Sequence, residues 1–142
     1  MTAITDLTQS IQQLNNQIER ILRPLDYESD NIVLTDENDP DQLYFRTEYR
    51  NIINHLNEIH SRATYLNKPI IEEGLLFKNP IDRYAIGEDY CFTSGSLIEV
   101  LIYDEWDEKE KWVLTRVEHT DKDYYLYDYK NIPMQGLLAR RR

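Results

Sequence analysis

The 142-residue chain reads as an α+β protein, an N-terminal antiparallel helical hairpin followed by a small SH3-like antiparallel β-barrel. Three observations predict this. Apolar residues recur three and four apart through residues 4–25 and again through 45–66, the period of a helix with one apolar seam. Short β-branched and aromatic runs, each closed by Gly, Asp or Asn, then fill residues 83–142. A stretch containing Pro69 and Asn79-Pro80 separates the two patterns. The expected organisation is therefore a coiled-coil-like hairpin over 1–69, a linker over 70–82 and a barrel over 83–142.

In the first helix the seam is Ile4, Leu7, Ile11, Leu14, Ile18, Ile21 and Leu25, with Gln and Asn filling most gaps. Thr5 or Asp6 is expected to open it and Pro24 to end it. Residues 26–41 hold seven acids and neither Lys nor Arg, which predicts a loop with at most a short extended piece. Asp39-Pro40-Asp41-Gln42 supplies a cap, a first-turn proline and a polar residue three past the cap, so the second helix starts there. Its seam is Phe45, Tyr49, Ile52, Leu56, Ile59, Ala63 and Leu66, and Pro69 stops it. Two such seams joined by a connector predict a hairpin of helices roughly 30–40 Å long. Ile53, beside the second seam, is expected to touch either the barrel or a second copy of the chain. Leu75, Leu76 and Phe77 are expected to pack the hairpin onto the barrel.

In the β half, Ile98, Val100 and Ile102 point to one face and Leu97, Glu99, Leu101 and Tyr103 to the other. Residues 104–110 form a charged hairpin loop. In the next strand Val113 and Val117 oppose Trp112, Leu114 and Arg116. His119–Asp123 turns into the tyrosine-rich run 124–129, and Leu137–Arg140 closes the sheet. Five or six short strands in about 60 residues is the inventory of an SH3-like barrel.

Arg83-Tyr84, Thr93-Ser-Gly95 followed by Ile98-Glu-Val100, Trp112, Arg116-Val-Glu118, Tyr124-Tyr-Leu126 and Gly136-Leu-Leu-Ala-Arg-Arg141 resemble a family of small β-barrel domains of unknown function. That family is associated with mobile elements of Gram-positive bacteria. The resemblance covers about residues 80–142 and leaves the helices outside. Its motifs are a turn glycine, strand aromatics and closing arginines, and it assigns no catalytic or ligand residues to carry over. It implies a setting among accessory genes of plasmids, phages or conjugative elements.

Net charge is −10, which argues against nucleic acid or an anionic membrane as direct ligand and suits a basic protein partner. No run approaches the roughly 20 apolar residues of a membrane span. Residues 1–6 lack the layout of a signal peptide, and Cys91 stands alone, so a cytoplasmic protein is expected. His55 and His60, five apart, lie about 140° apart around a helix and cannot share a metal as an i, i+4 pair could. His119 has no ligand-type neighbour. Cys91 lies in an apolar run without an adjacent cation, which predicts a small buried hydrophobe. Phosphate-binding glycine loops, nucleophile elbows and metalloprotease motifs are lacking. Neither an enzyme nor a cofactor nor a metal is expected.

Of the 11 tyrosines, seven fall between Tyr84 and Tyr129, a set that serves either as core or as a groove for a peptide or cation. Trp106, among acids at a turn, is either a hot spot for a basic partner or packed back onto the barrel. Arg140-Arg-Arg142 is the basic cluster, expected to pair with residues 104–110 or to be solvated. The candidate partner-binding residues are Asp26, Glu28, Asp30, Asp36 and Glu37 in the connector. Asp104, Glu105, Trp106, Asp107, Glu108 and Glu110 are those in the loop. Both groups equally suit a solvated surface. The expected function is a non-enzymatic acidic module that binds, and inhibits in the manner of an anti-CRISPR protein, a basic nucleic-acid-handling host protein. The alternative is an adaptor whose barrel binds a peptide and whose helices dimerise. A small carboxylate hydrolase is a third reading.

Overall fold

The computed structural model describes residues 1–142 and divides them into two compact units, Met1–Lys68 and Pro69–Arg142. The first is α-helical and the second antiparallel β, so the chain is α+β.

Helix α1 (Ile4–Leu22) begins two or three residues earlier than a cap at Thr5 or Asp6 would place it. Ala3 stands at the N-cap without a side-chain bond, and its carbonyl takes the Leu7 N–H at 3.0 Å. Thr8 and Ser10 turn their hydroxyls back onto the carbonyls of Ile4 and Asp6. The helix tightens into a 3₁₀ turn over Arg23–Leu25, where Pro24 is accommodated. Asp26 and Tyr27 then both take positive φ, 54° and 63°, and reverse the chain. A second 3₁₀ turn, Ser29–Asn31, lies within the connector.

Helix α2 (Pro40–Asn67) starts as the spacing predicts: the Asp39 carboxylate accepts the Asp41 N–H at 2.9 Å and Pro40 occupies the first turn. Gln42 does not close a capping box. Its side-chain oxygen accepts instead from the Thr35 and Asp36 N–H groups at 2.9 and 3.2 Å, which ties the connector to the helix.

The two seams do not bury each other along their length. Ile18, Leu22 and Ile53 are buried together, with Leu25, Ile32 and Leu56 against them. Ile53 thus belongs to the hairpin's own core. Towards the open end the contact is polar: Asn15 donates to Thr64, Gln12 to Asn67, and His60 joins Asn15 at 2.9 Å and Glu19 at 2.9 Å. Leu7, Leu14 and Ile21, and Ile52, Ile59 and Leu66, remain 44–66% exposed.

The second unit contains β1 (Glu72–Leu75), β2 (Phe77–Lys78), β3 (Tyr84–Ala85), β4 (Leu97–Asp104), β5 (Lys109–His119), β6 (Tyr124–Leu126) and β7 (Leu138–Arg141). Five strands pair antiparallel in the order β1-β7-β4-β5-β6, and β2 pairs with β3 as a separate ribbon. No ladder joins β6 back to β1, so the sheet is open where a closed barrel was expected. The edge strand β6 is short: it ends at Leu126, and Asp128 turns the chain with φ 64°.

Residues 70–82, expected as a linker, contribute β1 and β2. Leu76, 1% exposed, lies in the core of the β unit with Tyr84, Phe92, Ile98, Val100, Val117, Leu126, Met134 and Ala139. Leu75 stays exposed, because β1 alternates its faces against β7. Gly74 is needed there: a Cβ on it would come within 2.9 Å of the Ile86 side chain.

Candidate functional site

The β4–β5 loop follows from strand register. Asp104 pairs with Lys109 across the ladder, which leaves Glu105, Trp106, Asp107 and Glu108 to make the turn. Asp104 builds that turn: its carboxylate accepts the Trp106 N–H at 2.9 Å and also contacts the Lys111 ammonium. The Lys111 ammonium, and then the Trp106 N–H, hold the Asp104 carboxyl below its ordinary range. Glu108 closes the turn with φ 52°. Asp104 is thus half-buried scaffolding, while Glu105, Asp107, Glu108 and Glu110 are exposed. Trp106 is 95% exposed and does not fold back onto the sheet.

The connector carboxylates are also exposed, but two have internal work. Asp30 pairs with Arg50 at 3.4 Å, and Asp36 accepts the Asn38 N–H at 2.9 Å. Asp26, Glu28 and Glu37 project to solvent. The two acidic groups lie in different units, so the structure assembles each separately.

The terminal arginines are not where the sequence reading put them. Glu99, 5% exposed on the outer face of β4, accepts from Arg140 at 2.8 Å and Arg142 at 2.6 Å. Arg140 also lies 4.0 Å over the Trp112 ring. Arg141 bonds Glu72 at 3.2 Å and sits 4.1 Å over Tyr90. These pairs clamp β7 between β1 and β4, with cation–π contacts adding to the ion pairs. One signal was available in the sequence: an acid inside an otherwise apolar strand needs a cation, and the closing strand with the residue after it supplies three.

A second cluster was missed. Glu19 on α1 takes the Tyr27 hydroxyl, the Arg23 guanidinium at 3.2 Å and His60 Nε2 at 2.9 Å. The Tyr27 hydroxyl first, with Arg23 and His60, holds the Glu19 carboxyl below its ordinary range. Asn57 donates to the Tyr27 carbonyl at 2.9 Å, so the cluster locks the strained reversal after α1 onto α2. Cys91 is half-buried, and contrary to the sequence reading a cation adjoins it: Arg83 contacts its thiol.

The aromatics divide. Tyr84 and Phe92 are core, Tyr90 meets Phe92 edge-on at 5.3 Å, and Tyr124 and Tyr129 pack around them. Tyr127 is exposed, with Arg116 stacked 3.8 Å over its ring, beside an open groove of about 250 Å³ lined with Leu97, Leu114 and Thr115. No three His, Cys, Asp or Glu side chains converge as metal ligands, and no helix is long and apolar enough to cross a membrane.

Residues 73–141, from β1 through β7, match a family described as a domain of unknown function, DUF5348. No match was found among curated proteins or among solved structures.

Proposed function

We propose that the chain is a non-enzymatic protein-binding module that presents carboxylates to a basic, nucleic-acid-handling protein in the cytoplasm. The observation that carries this reading is Trp106, 95% exposed at a turn between Glu105 and Asp107. A tryptophan left in water at a tip costs hydrophobic free energy that docking would recover, and Trp leads the residue types that dominate interfaces. The surrounding carboxylates steer a basic partner and repel an acidic one. A surface of this charge competes with DNA for a basic groove. Together with the mobile-element setting of the resembling family, that supports an inhibitor of a host nuclease, similar in kind to anti-CRISPR proteins. The test is association with purified basic nucleases at low and high salt. Binding that weakens at least tenfold between about 50 and about 300 mM salt supports the reading. Absent or salt-insensitive binding refutes it.

The groove beside Tyr127 favours a second reading, an adaptor in which a barrel-like β unit holds an extended peptide. Leu114→Glu would then abolish partner capture and Trp106→Ala would leave it unchanged, the reverse of the first reading.

A further inference from the structure

The helices carry two apolar rows, each with a seven-residue step. Ile4, Ile11, Ile18 and Leu25 form one row of α1, and Leu7, Leu14 and Ile21 form the other. In α2 the rows are Tyr49, Leu56 and Ala63, and Ile52, Ile59 and Leu66. The hairpin buries Ile18 (2% exposed) and Ala63 (9%) from the first rows, half-buries Leu25 and Leu56, and completes its core with Leu22 and Ile53 from outside both rows, while Ile4, Ile11 and Tyr49 stay exposed. The second rows stand at 45, 48 and 50% exposure on α1 and 49, 44 and 66% on α2. Helical geometry brings both to one side of the hairpin: on each helix they lie about 100° from the polar contact of Asn15 with His60 and Thr64, turned the same way. A two-helix hairpin can bury one row per helix, whereas a four-helix bundle buries both.

We infer that this face binds a second copy of the chain, forming an antiparallel four-helix bundle. Area and charge both select that occupant. The second rows with their apolar neighbours offer on the order of 1,000 Å² per copy, so a pair reaches the roughly 2,000 Å² at which obligate homodimers begin. Residues 4–22 and 40–67 carry five acids and four arginines, nearly neutral in a chain of net charge −10. The face therefore offers a basic partner no attraction and a second copy little repulsion. The connector, with six acids between the two helices, sits at one end of the hairpin. Antiparallel pairing puts the two connectors at opposite ends, and parallel pairing would set twelve acidic side chains side by side. The inference does not rest on the acidic-loop reading, because it uses neither Trp106 nor residues 104–110.

The test is sedimentation equilibrium of the full chain at low and high salt, on the wild type and on Leu14→Gln and Ile59→Gln. The wild type should run at twice its 17.1 kDa, with a dissociation constant that moves less than threefold with salt. Each substitution should weaken the dimer at least a hundredfold while the helical circular dichroism stays unchanged. A wild-type monomer at about 100 µM, a dimer that survives both substitutions, or loss of helix in both variants would each overturn the inference. The last outcome would place the rows in the chain's own core.

Discussion

At Glu99 one carboxylate, buried in an otherwise apolar strand, is shared by Arg140 and Arg142. Removing its charge takes from two guanidinium groups, each 16% exposed, the carboxylate that they share. Glu99→Gln should therefore destabilise the β unit by about 3 kcal/mol, read as a lower urea midpoint at unchanged slope. The surface pairs behave differently. Tyr27, Lys111, Arg116 and Lys78 are the first causes that hold the Glu19, Asp104, Glu118 and Asp123 carboxyls low. A carboxyl with a depressed folded value contributes stability that is present above its unfolded value of about 4. That contribution is lost as pH falls through the lower folded value. The urea midpoint should thus be level from pH 7 to about pH 5 and decline below about pH 4; a midpoint that rises on acidification contradicts these pairings. Apart from the need of Glu99 for a cation, these partners left little trace in the sequence. An acid such as Asp123 meets Lys78 only through the tertiary path of the chain, and composition carries no trace of that.

Among the elements, the helices were the most legible, since a seam of Ile and Leu at three-four spacing admits few other readings. What the seam left open was how it would be shared. Leu22, outside the predicted seam, is fully buried between the helices, whereas Leu14, a seam residue, is 48% exposed. Leu22→Ala should cost about 2–4 kcal/mol in thermal or urea unfolding, measured on dilute protein. Leu14→Ala should cost less than about 1 kcal/mol under the same conditions, because about half of its surface is already in water in the single chain. Equal losses at the two positions would mean that the whole stripe is internal. The strands were legible in type but not in number. Glu72-Glu-Gly-Leu75 alternates nothing apolar and contains a glycine, so its place beside β7 comes from ladder hydrogen bonds and the Glu72–Arg141 pair. Closure failed for a related reason. A tyrosine-rich run reads as one strand to its end, and the left-handed turn at Asp128 that cuts it short has no glycine to announce it.

For the molecule as a whole, charge is unevenly used. In the β unit several acids are neutralised in place, by the terminal arginines, Arg116 and Lys78, whereas the β4–β5 loop keeps Glu105, Asp107 and Glu108 in solvent around Trp106. The acidic loop was legible because its residues are contiguous; the structure adds that Asp104 belongs to the turn and that Trp106 stands clear. Removing Trp106 should leave the unfolding midpoint within about 0.5 kcal/mol of the wild type, as expected for a side chain with no packing to lose. The most direct test of the module is capture from a cell lysate. The immobilised wild type is compared with a variant carrying Trp106→Ala, Glu105→Gln, Asp107→Asn and Glu108→Gln, at about 50 and about 300 mM salt. The wild type should retain basic nucleic-acid-binding proteins at the lower salt only, and the variant should lose them. Retention of the same proteins by both chains, or retention indifferent to salt, would contradict the proposed role of the loop.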